Sequence, residues 1–356
     1  MARTIPRLPL ALAGIVSLLA GLMAGEARLG WDLPLSFVHL HGPLMVCGFF
    51  GTVIGLERAV ALNRPWAYGA PFATAAGALL LLTGVETSGA ILLSLGSLIF
   101  LAVALTVVRR QPEPFTRLLA LGALAWSLGN VLWTFGAAVP QVVPLWASFL
   151  VLTIAGERLE LSRFLKPWRW RNPTLVPPVA LIATGAGLAA AGLPLAWTLF
   201  GLGCVALVAW SLINDIIRRT IRQPGLTRYV AICLLSGYVW LGVAGMLAPA
   251  LDAGIESLRY DATLHALFVG FIFAMVFGHA PVILPAVLKV KLPFRGYFYG
   301  PLAVLHASLM LRVAGDLLAL DSVRMWGGLL NGVAVLGFVV MVVGTVLSAR
   351  PNPPSA

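Results

Sequence analysis

The stretch "LHALFVGFIFAMVFGHAPVILPAVL", Leu264 to Leu288, is apolar along its whole length and contains no Asp, Glu, Lys or Arg. It is longer than the roughly 20 apolar residues that cross the hydrocarbon core of a bilayer, so it predicts a membrane-spanning helix. Two of its residues, His265 and His279, are ionisable. Such groups are costly in hydrocarbon unless they face the interior of a helix bundle and have a partner there.

The whole chain has the composition of this stretch. Its 356 residues are 60% hydrophobic and 10% charged, and the mean hydropathy is +0.96. These values are outside the range of soluble domains, so we expect an all-α, polytopic bundle of transmembrane helices in contact with the lipid bilayer. Because the linkers are short, residues 1–356 are expected to form a single integral membrane domain. About twelve spans are predicted, near 9–24, 36–61, 67–85, 89–108, 117–138, 141–163, 174–193, 194–217, 228–249, 262–288, 297–319 and 325–348.

The basic residues predict the orientation of these spans, because cytoplasmic loops collect Lys and Arg. With both termini in the cytoplasm, all but four of the 24 basic residues fall on the cytoplasmic side. The four are Arg28, Arg259 and Arg324 outside, and Arg312 within a span. The net charge of +11 is therefore interpreted as a topology signal, with no nucleic-acid partner. Alternatively, the first segment is a cleaved signal peptide, which would reverse this orientation.

All five histidines of the chain fall in predicted spans: His39, His41, His265, His279 and His306. This favours metal ligands over ordinary packing residues. Neutral imidazole binds iron, copper and zinc, and it is the commonest axial ligand of haem. A closed zinc site would add Cys or carboxylate ligands at local spacing, and none stands beside these histidines. The three cysteines form no motif for covalent haem attachment.

The helical repeat divides the histidines into two sites. On an α-helix, His265 and His279 would face nearly the same way with a rise of about 21 Å between them, too far for one shared metal. The running directions of the spans then predict an outer site with His39, His41 and His265, and an inner site with His279 and His306. His41 is the preferred partner of His265, because His39 and His41 point about 200° apart.

Two other features concern charged residues within or at the end of spans. Arg312 and Asp316 are four residues apart and predict an internal salt bridge, although Arg312 is also at a suitable height to neutralise a haem propionate. The second and sixth spans each end in an adjacent Glu-Arg, in "VIGLERAVAL" and "TIAGERLELSRF". The repeated Glu-Arg pair predicts either ordinary ion pairs at the membrane interface or a chain built from three four-helix units.

Three segments resemble the NnrS family of twelve-span membrane proteins: "HLHGPLM", "LHALFVGFIFAMVFGH" and "LMLRVAGDL". The resemblance implies non-covalent b-type haem together with copper, a role in nitric oxide metabolism or nitrosative stress protection, and a bacterial inner (plasma) membrane. It leaves open whether nitric oxide is bound, reduced or sensed, and it names no electron donor or catalytic residue. Gly42 stands where the family usually has Glu. "HGPLM" and "GHAPVILP" are also similar, more weakly, to segments of haem–copper oxidase and nitric oxide reductase catalytic subunits.

Two alternative functions are compatible with the same residues. His-x13-His on one helix is the spacing with which transmembrane cytochromes b stack two haems, and it predicts electron transfer without substrate turnover. A small-molecule transporter whose intramembrane histidines and Arg312 handle protons or substrate needs no cofactor.

Overall fold

The computed structural model describes residues 7–165, 168–255 and 257–349, and this part of the chain contains helices and no strand. The all-α prediction is confirmed. Each predicted span corresponds to a helix: α1 Arg7–Leu29, α2 Val38–Leu62, α3 Pro65–Leu82, α4 Glu86–Arg110, α5 Pro114–Thr134, α6 Val139–Ser162, α7 Pro173–Ala190, α8 Ala196–Asn214, α9 Leu226–Ala253, α10 Leu258–Leu288, α11 Tyr299–Leu317 and α12 Asp321–Ser348. Arg3, Lys166 and Arg350, which the topology argument counts as cytoplasmic, lie outside the described residues.

In the described part of the chain, eleven helices are long and apolar enough to cross a membrane. By length and composition these are the helices of an integral membrane protein. The exception is α11, whose 19 residues include His306, Arg312 and Asp316. These side chains lower its hydropathy, and they are also the residues that the sequence singles out as functional.

Helices α2, α6 and α10 meet in the middle of the bundle. Residues of α10 pack against both α2 and α6, and α6 is the most buried of the spans, with 83% of its apolar window inside the protein. Arg58 of α2 forms an ion pair with Glu157 of α6, near the end of each helix. The two helices therefore run in the same direction, as the alternation of spans predicts.

Both α2 and α10 are interrupted by π-helical segments, Leu44–Phe50 in α2 and Ala266–Phe273 in α10. The start of α2 is irregular as well, because a 3-10 turn at Val38–Leu40 precedes the π-helical segment. In α10 the segment lies between His265 and His279. A π-helix forms hydrogen bonds from residue i to residue i+5 and turns less per residue than an α-helix. The prediction that His265 and His279 face nearly the same way therefore does not hold.

Candidate functional site

His41 is held against α1 by a hydrogen bond and by close packing. Its Nδ1 lies 2.7 Å from the carbonyl oxygen of Gly21. A carbonyl only accepts hydrogen bonds, so Nδ1 carries the proton and the lone pair of Nε2 is left for another partner. Gly25, one helical turn further along α1, has no side chain in the way: a Cβ there would lie 2.9 Å from Cε1 of His41.

His265 is held in the same manner, through a carboxylate that the sequence analysis overlooks. Its Nδ1 lies 2.8 Å from the backbone oxygen of Asp261 and 3.2 Å from carboxylate Oδ1 of that residue. Arg312 donates to both carboxylate oxygens of Asp261, from Nε at 2.9 Å and from Nη2 at 3.1 Å. The expected salt bridge between Arg312 and Asp316 is therefore wrong. Because Asp261 stands four residues before His265, its role could have been found from helical spacing.

The rings of His41 and His265 lie side by side, with centroids 6.1 Å apart and planes 22° from parallel. Each ring donates Nδ1–H to a backbone carbonyl and keeps an unprotonated Nε2. This is how proteins usually fix the tautomer and the orientation of a metal-binding histidine. The structure thus brings together the two residues that the sequence predicts as partners.

His279 is the third histidine of this type, since its Nδ1 lies 2.7 Å from the carbonyl oxygen of Met275. It lies within electrostatic range of Arg158, Glu57 and Asp215. The His306 ring, by contrast, uses both nitrogens in hydrogen bonds to α9. Trp240 donates to Nδ1 at 3.0 Å, and Nε2 then carries the proton and donates to Ser236 Oγ at 2.8 Å.

Two of the predicted ligands, His306 and His39, use ring nitrogens for hydrogen bonds or ion pairs with other helices. His306 offers no free nitrogen toward His279, because both of its ring nitrogens form hydrogen bonds with α9. His39 turns away from His41, and its Nε2 lies 3.0 Å from Oε1 of Glu86, with both side chains more than half exposed. Sequence spacing could not distinguish these two from the others, because their partners come from distant helices.

Around the free histidines, the described residues contain no group of three or more His, Cys, Asp or Glu side chains arranged to hold a metal ion. The pair His41 and His265 could therefore supply only two ligands to a metal. A structural zinc ion would need four protein ligands.

Near the C-terminal ends of α2 and α6 lies a group that we call the Arg158 cluster: Glu57, Arg58, Glu157, Arg158, Asp215 and Tyr238. Arg158 donates to both carboxylate oxygens of Asp215, at 2.7 Å and 2.5 Å, and this pair is almost fully buried. Tyr238 donates to Asp215 Oδ2 at 2.7 Å. The repeated Glu-Arg motifs thus form ion pairs between helices, Arg58 with Glu157 and Arg158 with Asp215. Within the first motif, Arg58 also lies 3.9 Å from Glu57.

A second polar group, the Asp261 cluster, lies beside His41 and His265: Glu26, Asp261, Arg312, Asp316 and Arg324. Glu26 lies within electrostatic range of Arg312. Asp316 is buried, and its nearest cationic atom is Nε of Arg324 at 3.9 Å. Glycines bring α11 and α12 close together here, since a Cβ on Gly315 or Gly327 would overlap the backbone of the other helix.

Comparison with known proteins identifies a family but no activity. No protein of curated function matches the chain. A family model described as a domain of unknown function, DUF8744, matches residues 7–347. This range covers all twelve helices except the last residue of α12, and it includes every residue of both clusters. The chain belongs to the DUF8744 family.

Proposed function

We propose that this protein is an integral membrane protein that binds haem, with copper as a further metal, and acts in nitric oxide metabolism or nitrosative stress protection. The observation that carries the proposal is the His41 and His265 pair, with parallel rings, fixed tautomers and free Nε2 atoms.

Haem suits this pair because the iron brings four porphyrin nitrogens and needs only axial ligands from the protein. His41 and His265, whose ring centroids lie 6.1 Å apart, are the residues that would hold the haem through their free Nε2 atoms. A metal that requires three or four protein ligands has less support, because the described residues offer no such group around these rings.

The protein would hold the two imidazoles in a fixed orientation, with Nε2 of each ring free to bind a metal. Gly21 accepts from His41, Asp261 accepts from His265, and Arg312 in turn fixes Asp261. Haem, when bound, supplies one-electron chemistry and an iron able to bind diatomic ligands. His279 is the candidate for a separate centre beside the Arg158 cluster, with a single imidazole as protein ligand.

The nitric oxide part of the proposal rests on the three NnrS-like segments. Two of them contain His41, His265 and His279, and the third contains Arg312 and Asp316. The residues that carry the resemblance therefore coincide with the residues that form the candidate site. Localisation in a bacterial plasma membrane has the same basis.

We further propose twelve spans, with both termini cytoplasmic. Support comes from α11, whose 19 residues would extend about 28 Å. It runs antiparallel to α12 over nearly the full length of that helix: Asp316 lies near Arg324 at one end, and Tyr297, just before α11, bonds Thr345 at 2.8 Å at the other. In addition, Arg7 at the start of α1 donates to the Val287 carbonyl at the end of α10, as expected if both lie on the cytoplasmic side.

A cofactor-free transporter is the second candidate, favoured by two charged clusters inside the bundle, which need no metal to act on protons or ions. The di-haem cytochrome has less support, because His306 is unavailable as the second inner ligand.

The deciding experiment is an absorption spectrum of the detergent-purified full chain, expressed with sufficient haem, together with pyridine-haem and copper analysis. We expect haem bands that shift when nitric oxide is added to the reduced protein. Folded but colourless protein without iron or copper would contradict the proposal and favour the transporter. Haem bands that do not respond to nitric oxide would leave metal binding standing and contradict the nitric oxide role.

A further inference from the structure

Asp316 and Glu26 are the two carboxyl groups of the Asp261 cluster that accept no hydrogen bond from a described residue, and Asp316 is the more deeply buried of the two. Its side chain has no exposed surface, and neither carboxyl oxygen has a hydrogen-bond partner in the described part of the chain. Arg312 directs its Nε and Nη2 to the two carboxylate oxygens of Asp261, and it forms no hydrogen bond with Asp316. An ionised carboxylate buried without hydrogen bonds is strongly disfavoured.

The charged groups around Asp316 include more acids than arginines. It lies within electrostatic range of Asp261 on α10, of Arg312 on its own helix and of Arg324 on α12, and Glu26 of α1 adds a third acid close to Arg312. Three acids thus face two arginines. One of these acids can carry a proton without leaving an arginine uncompensated, and Asp316 is the one that accepts no hydrogen bond and whose side chain is fully buried.

Arg324 lies between Asp316 and the aqueous phase. The Arg324 guanidinium has a buried Nε without a bonded partner, 3.9 Å from Asp316. Its Nη2 lies 3.9 Å from Asp321, whose side chain is 80% exposed. On the other side of Asp316, Asp261 leads directly to His265. Asp316 therefore lies between water and the histidine pair.

From this arrangement we propose that Asp316 holds an exchangeable proton at neutral pH and releases it toward the Asp321 end when positive charge develops at His41 and His265. The coupling to that charge rests on the proposed metal site, whereas the proton on Asp316 does not. An added one-electron oxidant such as ferricyanide would take its electron from the metal that His41 and His265 would hold, and the O–H bond of Asp316 would break in response to the added positive charge. Its electron pair stays on the carboxylate, and the proton passes to water. Reduction reverses the step.

The first test is infrared spectroscopy of the full chain in lipid, reduced or metal-free, with aspartate isotope-labelled at its side-chain carbon. We expect a carbonyl band of a protonated aspartic acid that shifts with the label, disappears in Asp316→Asn and returns in Asp316→Glu without the label shift. Asp321→Asn is the matched control and should keep the band. Wild-type protein with no label-sensitive band would overturn the proposal even if every variant failed to fold, and so would a band that survives in folded Asp316→Asn.

The second test is redox titration of the bound metal at several pH values. Uptake of one proton with one electron moves the midpoint potential by about 59 mV per pH unit, the equivalent of a tenfold change in proton concentration. We expect a pH-dependent potential in wild type and in Asp321→Asn, and a flat one in Asp316→Asn. A flat wild-type potential would overturn the coupling. Protein without metal would contradict the proposed function, while the infrared result would still decide the state of Asp316.

Discussion

His41 and His265 lie on different helices, α2 and α10, yet the centroids of their imidazole rings are 6.1 Å apart and their planes are 22° from parallel. The contact depends on a third helix, because α1 provides the Gly21 carbonyl that orients His41. It depends equally on a fourth, because Arg312 of α11 fixes the Asp261 carboxylate that contacts His265. Four helices therefore fix the orientation of the two imidazoles through their Nδ1 atoms, and both Nε2 atoms are left free.

The pairing predicts that His41→Ala and His265→Ala have the same effect. Each should remove one and the same haem component from the absorption spectrum, because an axial pair fails when either ligand is lost. The measurement is the spectrum and the pyridine-haem content of each variant, compared per mole of protein that elutes as a single folded species.

Two other histidines are the controls for this prediction. His39→Ala and His306→Ala should keep the component, because the nitrogens of these rings are occupied by Glu86, or by Trp240 and Ser236. If His306→Ala abolished the centre while His41→Ala did not, the assignment of ligands would have to be abandoned.

The helices could be predicted from the sequence because long apolar segments are recognisable by hydropathy alone. All twelve predicted segments are helical, including α11, whose ionisable residues lower its hydropathy. The free, buried state of Cys47, Cys204 and Cys233 also follows from their isolation in apolar segments.

The site could be predicted only in part, because helical geometry gives the direction of a side chain and not its partner. The partners of His39 and His306 come from α4 and α9, and no local spacing points to them. The π-helical segments changed the register between His265 and His279, and an apolar run such as "ALFVGFIF" carries no sign of a wider turn. Asp215 and Tyr238 were missed for the same reason, since burial beside Arg158 is a property of the assembled bundle.

Gly25 gives a test of how closely α1 must approach His41. An alanine Cβ would lie 2.9 Å from Cε1 and 3.0 Å from Nδ1 of the imidazole, so Gly25→Ala should push the ring away from its position. We expect haem affinity to fall by about 10–100-fold, as for other changes to the groups that orient a metal ligand. The measurement is a haem titration of the apoprotein.

The control for this change is Gly187→Ala on α7, where an added Cβ meets nothing within 4 Å. It makes the same chemical change in a helix and should leave haem affinity unaltered. Equal losses in the two variants would mean that the effect comes from the helix backbone and not from His41.

The proposed topology predicts that the C-terminus is cytoplasmic and that the turn around Gly254, between α9 and α10, faces outward. Reporter fusions active on only one side of the membrane should give opposite results at these two positions. A control fusion in the turn at Asn63, after α2, should agree with the C-terminus. An external C-terminus would contradict the twelve-span count and reverse the sidedness of both clusters.

The buried pair of Arg158 and Asp215 predicts a stability effect that differs between single and double variants. In Asp215→Asn or Arg158→Met, the remaining charge stays buried with its partner gone, and loss of one member of such a pair costs about 3–5 kcal/mol of unfolding free energy. The double variant removes both charges, so we expect it to be less destabilised than the sum of the two single variants. Denaturant titration of the purified protein in mixed micelles measures the unfolding free energy of all three variants.

Tyr238→Phe removes only the hydroxyl that donates to Asp215. This change should cost about 1.5–3 kcal/mol of unfolding free energy, as for a hydrogen bond to a charged group. If the losses of unfolding free energy in the two single variants added up to the loss in the double variant, Arg158 and Asp215 would not interact in the folded protein. The ion pair would then not stabilise the Arg158 cluster.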